Sequence, residues 1–570
     1  MATTYAITYN ANGGSGSTPT DSRTYLDGQS ATILGNTTGM TNGTKSFAGW
    51  NTAADGSGDA YATGETLLMS GATTLYAVWS DSYTITYNKN TTGSPTGTAP
   101  VDNNTYVTGD IATIETQGAL TNTNTDYTFI GWNTAADGTG NGYEAGQQIE
   151  IGSSSLTLYA MWALNYYVAT SGSDAGNNDC KTKTSPCKTI SAALSSIGTD
   201  KKGSQILVAS GTYTITSTLA MKTNVFLLGG YSSSNWSRDI ANNVTTISYS
   251  DTAATNKAIN VASLSGYQKI EGFTISLSSG GSKAYYGVYI SSSPNTMVRY
   301  NKIKFANTSA SSGSGTYGGI YVTGKYISDI TGNIIDGNNN GTVGKYTYGI
   351  QTKSLGSGSR FSIINNVINV GMKSTVSSSY PQSIELGSSN KIVVTARNNT
   401  LYAGAAVAGN ATATYALGVK KSLKSSGFAK VKLYFDNNIV FAPTGQSGQY
   451  TYGVYCYSSF YCNVQSMKNN NFFTLKTLVK LGTSYSSVNA LELAKAVATN
   501  NNNIEMVTNN YFAGFASKNF KLDTSCPSDI KFGGIDGYTL GWGYQNDLDN
   551  SVNRTGNGTE DWSIGAYEKD

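Results

Sequence analysis

An asparagine followed by apolar residues returns at near-constant intervals through the second half of the chain. Asn301-Lys302-Ile303, Asn333-Ile334-Ile335, Asn366-Val367-Ile368, Asn399-Thr400-Leu401, Asn438-Ile439-Val440, Asn471-Phe472-Phe473 and Asn510-Tyr511-Phe512 are separated by 32, 33, 33, 39, 33 and 39 residues. A second marker keeps step with it: Gly287-Val288, Gly319-Ile320, Gly349-Ile350, Ser383-Ile384, Gly418-Val419 and Gly453-Val454. A unit of about 33 residues with short strands and no helix is too short for a propeller blade and too irregular for a leucine-rich repeat. It fits one coil of a parallel β-helix, each coil stacking on the last at about 4.8 Å. Asn301, Asn333, Asn366, Asn399, Asn438, Asn471 and Asn510 then stack as an inward ladder, each amide bonding the next and satisfying polar groups buried in the turn.

A different repeat opens the chain. Tyr5-Ala6-Ile7-Thr8-Tyr9-Asn10 returns as Tyr83-Thr84-Ile85-Thr86-Tyr87-Asn88. Gly49-Trp50-Asn51-Thr52-Ala53-Ala54-Asp55-Gly56 returns as Gly131-Trp132-Asn133-Thr134-Ala135-Ala136-Asp137-Gly138, and Leu75-Tyr76-Ala77-Val78-Trp79 as Leu158-Tyr159-Ala160-Met161-Trp162. Period-two alternation reads as half-buried strands and the Asp-Gly step as a reversal. Trp50, Trp79, Trp132 and Trp162 are the expected core aromatics. Between the two patterns, Ile190, Ala193, Leu194 and Ile197 hold the i, i+3, i+4, i+7 spacing of one short amphipathic helix.

Composition removes whole classes of function. The 570 residues contain no histidine, which excludes Ser-His-Asp and Cys-His nucleophiles and His-ligated zinc or haem. Charged residues are 12% of the chain, 37 basic against 34 acidic, so no electrostatic footprint for nucleic acid exists. No apolar run is long enough for a membrane helix. Cys180 and Cys187, and Cys456 and Cys462, are close enough in sequence for two short-range disulfides in an oxidising compartment, with Cys526 left free. No Cys-x-x-Cys occurs, so neither a zinc ribbon nor a thioredoxin-like motif is present. Met1-Ala2-Thr3-Thr4-Tyr5 is not a secretory leader; the expectation is a mature or expressed fragment with an added Met.

The opening motifs resemble the Listeria–Bacteroides repeat, the B-repeat module of internalin-type bacterial surface proteins. That resemblance implies a compact β-grasp-like module used as a spacer or adhesive unit outside bacterial cells, and no catalysis. Copy two departs at its start, where Tyr87-Asn88-Lys89-Asn90 lacks the Gly pair. Tyr166-Tyr167-Val168, the Ile190 helix, Ile270-Glu271-Gly272-Phe273-Thr274-Ile275 and the closing Ile564-Gly565-Ala566-Tyr567-Glu568 resemble the pectin-lyase-like right-handed β-helix proteins of bacterial surfaces. That group holds polysaccharide lyases, glycoside hydrolases and non-enzymatic adhesins, so the fold does not decide the function. The expected architecture is all-β: repeat modules at 1–80 and 81–163, then a right-handed parallel β-helix at 164–570, capped by 164–203.

An enzyme of this fold needs a carboxylate cluster on the outside of neighbouring coils. The register gives none. Asp436, two before its ladder Asn, is expected to face out beside Arg397, and Glu385 beside Lys420, as exposed ion pairs. Tyr289, Tyr321 and Tyr455 share one outer face, with Tyr285, Tyr317, Tyr346 and Tyr452 nearby; a phenol offers a flat apolar face and a hydroxyl to a sugar or a protein. Asp55-Gly56-Ser57-Gly58-Asp59 reads as a Gly-rich turn, since Asn141 replaces Asp59 in copy two and no Glu stands at a suitable distance; calcium through such a loop is the one cofactor left in view. The expectation is a non-catalytic protein of the extracellular space or bacterial cell surface, binding glycans or surface proteins and capable of self-association. A polysaccharide lyase or glycoside hydrolase with accessory modules, and a self-assembling filament subunit, are the alternatives.

Overall fold

The computed structural model describes residues 3–198, 203–250, 255–278, 284–305, 316–337, 346–370, 380–388, 390–402, 414–419, 431–441, 451–456, 462–468, 470–473, 477–481, 483–485, 500–501 and 504–506. The chain forms two compact units. One runs to Thr121 and includes Tyr143–Ala160; the other joins Asn122–Gly142 to the chain from Met161 onward. The division passes through the second repeat.

In the first repeat, Ile7–Asn10 pairs parallel with Thr73–Asp81, which pairs antiparallel with Lys45–Asn51, and Ala60–Tyr61 closes the sheet. Alternation puts Ile7, Tyr9, Leu75 and Ala77 into a core with Trp50, whose ring lies 4.6 Å from that of Tyr9. The Gly-Trp-Asn motif has a geometric reason. Gly49 holds φ +131°, and a Cβ there would meet the Tyr61 carbonyl at 2.9 Å, so only glycine fits the bulge. Asn51 latches the turn: its Oδ1 accepts from the N–H of Ala53 (2.8 Å) and Gly58 (3.0 Å). Trp50, Trp132 and Trp162 are buried and Trp79 is half-buried, its indole donating to the Ala11 carbonyl at 2.9 Å.

From Leu156–Val168 onward each turn of chain visits three sheets, and within each sheet successive strands pair in parallel, except that Thr483–Tyr485 folds back antiparallel on Thr477–Leu481 at the end of the third. This is a right-handed parallel β-helix. We number the sheets in the order a coil meets them. Sheet one holds Gly203–Ala209, sheet two Gly211–Ile215 and sheet three Leu219–Ala220. Like sits on like inside. Sheet one stacks Ile270, Val298, Ile330, Ile363, Ala396 and Phe435, all fully buried. Sheet two stacks Ile275, Ile303, Ile335, Ile368, Leu401 and Val440. The helix α1 (Ile190–Ser196) is N-capped by Thr189 and sets Ile190, Ala193 and Leu194 against this core.

The corner between sheets one and two is two residues long. Its first residue takes a left-handed conformation: Tyr300, Gly332, Asn365, Asn398 and Asn437 all have φ between +50° and +66°, a region that Gly and Asn enter most cheaply. The second residue is the ladder asparagine. Nδ2 of Asn301, Asn333, Asn366, Asn399 and Asn438 each donates to the Oδ1 of the next, at 3.0–3.2 Å. Each receiving Oδ1 also accepts the main-chain N–H of the Asn before it. The last described rung is Asn470, and this corrects the expected position. Asn471 pairs with Ile439 as the first residue of the next strand. Three consecutive asparagines, 469–471, left the sequence pattern one residue out of register. Asn510 lies outside the described residues.

Cys180 and Cys187 form a disulfide with both residues fully buried, clipping the loop whose backbone bonds to the strand at Tyr167. Cys456 is buried and disulfide-bonded; the side chain of Cys462, and Cys526, lie outside the described residues.

Candidate functional site: the outer face of sheet three

The strands of sheet three do not alternate simply. In Tyr285-Tyr286-Gly287-Val288-Tyr289, both Tyr285 and Val288 belong to the core and Gly287 is buried beside them. A Cβ on Gly287 would lie 2.8 Å from the Gly319 carbonyl and 2.9 Å from Ile303, so two consecutive inward residues are possible only because the first is minimal. The outward residues are therefore Tyr286 and Tyr289. Coil by coil the first column reads Tyr286, Gly318, Tyr348, Gln382, Tyr415, Tyr452, and the second Tyr289, Tyr321, Gln351, Glu385, Gly418, Tyr455.

This register corrects three expectations. Tyr285 and Tyr317 are inside, stacked on each other at 5.5 Å. The inward glycine of the fifth coil is replaced by Ala416, followed by Leu417, so the marker is Ala416-Leu417 rather than Gly418-Val419. Glu385 consequently lies beside Gly418 and not Lys420, which is outside the described residues; its Oε1 accepts from Gln351 Nε2 at 2.9 Å. The side chain of Tyr346 is also outside the described set.

The face has aromatic clusters at both ends. At one, Tyr289 and Tyr321 stack at 4.7 Å, and Tyr286 leans across Gly318 to within 5.0 Å of Tyr321. The Lys257 ammonium sits 3.6 Å from the Tyr289 ring centroid, a cation–π contact. At the other, Tyr415 stacks on Tyr452 at 5.4 Å and approaches Tyr455 at 4.6 Å. Between them lie Tyr348, Gln382 and the Gln351–Glu385 pair, all buried. Burial pushes the Tyr286 hydroxyl up to about 12 and raises Tyr289 and Tyr321, and it lowers Lys257. Those phenols are neutral donors at neutral pH. The signal for this face was in the sequence as a four-residue pattern, outward-small-apolar-outward: Tyr286-Gly287-Val288-Tyr289 is repeated at Tyr452-Gly453-Val454-Tyr455.

The carboxylates are dispersed. On the outside of sheet one, Arg238 pairs with Glu271 at 2.5 Å, Arg299 with Asp329 at 3.7 Å and Arg397 with Asp436 at 3.2 Å. Asp436 is not exposed as expected: it is 3% accessible and also accepts from Ser466 Oγ at 2.5 Å. Among the described residues no three acidic or Cys side chains are placed to hold a metal ion. Asp55 Oδ1 is occupied by the Ser57 N–H (3.0 Å) and hydroxyl (2.6 Å), which hold its carboxyl below the usual range.

Fold and site together define an all-β protein: small repeat modules joined to a β-helix. Residues 5–78 and 83–161 match the Listeria-Bacteroides repeat domain. A Gly-rich membrane protein (so named) of Evansella cellulosilytica is 38% identical over 138 residues, covering 23% of this chain and 15% of that protein. A membrane protein (so named) of the same organism is 41% identical over 102 residues, 18% of this chain and 15% of that one. The chain thus spans about 15% of the length of these curated relatives. No helix among the described residues is long and apolar enough to cross a membrane. The solved pectate lyase Pel9A aligns over 71% of this chain and 96% of its own at 13% identity and TM-score 0.28. A rhamnogalacturonan lyase aligns over 66% and 98% at 11% identity and TM-score 0.29. Likeness at that level carries no implication for activity.

Proposed function

We propose that this chain is a non-catalytic extracellular protein of a bacterial surface, whose β-helix binds glycans through the outer face of sheet three. The repeats at 1–80 and 81–163 act as stalk or adhesive modules. The observation that carries the reading is the pair of tyrosine clusters, Tyr286/Tyr289/Tyr321 and Tyr415/Tyr452/Tyr455, bracketing the polar Gln351–Glu385 centre. Tyr321 and Tyr455 are four coils apart, about 19 Å at 4.8 Å per coil, a span suited to several linked sugar rings. Aromatic faces take the C–H faces of sugars, and neutral phenols and amides take their hydroxyls. One carboxylate lacks the second group that glycoside cleavage requires.

The test is a glycan-array screen of the whole chain, followed by calorimetry on the best ligand. Tyr289→Ala and Tyr455→Ala should each weaken binding by about tenfold, and Glu385→Gln should leave every ligand chemically intact. Release of unsaturated or reducing ends from polyuronates, abolished by Glu385→Gln, would replace this reading with the enzymatic one. Capture of a surface protein with no glycan bound would replace the ligand class.

A further inference from the structure

The two repeats share one turn but not its surroundings. In copy one, Gly56, Ser57, Gly58, Asp59 and Ala60 are exposed; in copy two, Gly138 is buried and Thr139, Gly140 and Gly142 are half-buried. The difference lies in what covers copy two, and every residue involved belongs to the unit that joins Asn122–Gly142 to the chain from Met161 onward. Asn224, Tyr267 and Asn295 stand immediately before the sheet-one strands of three successive coils. Asn224 Nδ2 donates to the Asp137 carbonyl at 3.3 Å, and Asn295 Nδ2 to the Gly140 carbonyl at 2.9 Å. The Tyr267 ring lies against Gly142. Ile130, on the strand before the turn, packs against the apolar cluster outside sheet one that includes Leu207, Phe226 and Tyr267.

Copy two differs from copy one at the residues that make these contacts: Ala48 is matched by Ile130, Val78 by Met161 and Ala60 by Gly142. Each change has a physical reason. Ala48 is exposed, whereas Ile130 is half-buried and adds apolar surface where a neighbour covers it. Met161 is buried, and its Cε lies 2.6 Å from where a Cβ on Gly138 would be; a Cβ on Gly56 would meet nothing within 4 Å. A Cβ at 142 would lie 2.3 Å from the Tyr267 ring, so the alanine of copy one does not fit there. We propose that the Ile130 strand and the Asp137–Gly142 turn are a docking surface specialised for the outer face of sheet one. The docking anchors this segment of the second repeat to the β-helix and closes its turn to any other partner. In copy one the turn keeps its internal latch, Asn51 Nδ2 donating to the Gly56 and Gly58 carbonyls at 3.2 and 3.1 Å, and stays open. An adhesive use of this turn therefore falls to copy one alone. The inference stands whether or not sheet three binds glycans.

The test is hydrogen exchange of the full chain, read by mass spectrometry on peptides covering 52–61 and 134–143. The two turns have matching internal bonds: Thr52 N–H to the Asp59 carbonyl and Thr134 N–H to the Asn141 carbonyl are both 3.0 Å. A difference in protection between them therefore reports the docking. The turn of copy two should exchange at least about tenfold more slowly than that of copy one. Ile130→Ala and Gly142→Ala, which restore the residues of copy one, should each raise exchange at 134–143 toward the copy-one rate, and Ala60→Gly should leave that peptide unchanged. Equal protection of the two turns in the unaltered chain overturns the proposal, and so does unchanged exchange at 134–143 in either folded variant. Should a variant fail to fold, the comparison of the two turns in the unaltered chain decides.

Discussion

Asn399 is the rung at which the ladder can be tested most directly. Its side chain is fully buried. Its Nδ2 donates to the Ile363 carbonyl at 2.8 Å and to Asn438 Oδ1 at 3.0 Å. Its Oδ1 accepts the Asn366 N–H at 3.0 Å and Asn366 Nδ2 at 3.1 Å. Asn438 Oδ1 keeps the Asn399 N–H, and Asn366 Nδ2 keeps its bonds to the Ile330 and Ile364 carbonyls. Asn399→Leu therefore strands two groups above all, the Asn366 N–H and the Ile363 C=O. Each buried orphan costs about 1–3 kcal/mol, so the loss is about 2–6 kcal/mol before any strain from the added methyl. Asn177, exposed in a loop with no side-chain hydrogen bond, is the control, and Asn177→Leu should cost under about 0.5 kcal/mol. Denaturant unfolding gives the two differences, and hydrogen exchange at the Asn366 amide localises the first. If the two variants unfold alike, or the Asn366 amide exchanges no faster, the asparagines do not act as the corner's internal partners and the reasoning fails.

Asp436→Asn leaves the Arg397 guanidinium without its buried counter-charge, so a loss of about 2–4 kcal/mol is expected by denaturant melts; a loss below about 1 kcal/mol would mean the pair behaves as an exposed one. Mass spectrometry of the unreduced protein should show Cys180 linked to Cys187, and Cys180→Ser with Cys187→Ser should destabilise by about 2 kcal/mol from loop closure; thiols free at both positions would refute it. Tyr87 and Tyr106 are pushed up to about 12, first by burial and, for Tyr106, by its hydrogen bond to Asp102. Their stabilising effect is complete below the unfolded value of about 10 and is lost as pH rises through about 12, so the first unit should melt at falling temperature across that window. A flat melting temperature there, with all tyrosines ionising together near pH 10, would contradict the burial.

The inside of the molecule was legible and the outside was not, for one reason. Inward columns repeat the same chemistry, Ile on Ile and Asn on Asn, so a fixed period exposes them. Outward columns change residue at every coil, and their reading depends on a register that one residue can upset. Asn470 was missed among three adjacent asparagines, and Ala416 because an alanine stood where five coils have glycine or serine. Tyr286 was missed because the inward Gly287-Val288 pair breaks strict alternation, which assigned Tyr285 to the wrong side. Burial of Asp436 could not be read at all. It follows from the αL corner residue Asn437 and from Ser466, which reaches it across the coil junction.

The three sheets share one core, yet their outer faces are chemically unequal. On sheet one, outward charge is spent within the fold: Arg299 on Asp329 and Arg397 on Asp436 tie neighbouring coils together. A surface satisfied in that way has little left with which to hold a ligand. On sheet three, glycines at 318 and 418 carry no side chains of their own; Tyr286 lies over the space at Gly318 beside Tyr321, and Gln382 and Tyr415 border the space at Gly418, Tyr415 beside Tyr455. Two coils out of six thus forgo burial to seat an aromatic cluster, which core packing does not require, because the inward columns are continuous through both coils. That departure from a coil's self-sufficiency is what the proposed glycan surface rests on, and it lies on strands that stack in the same coils as the asparagine ladder.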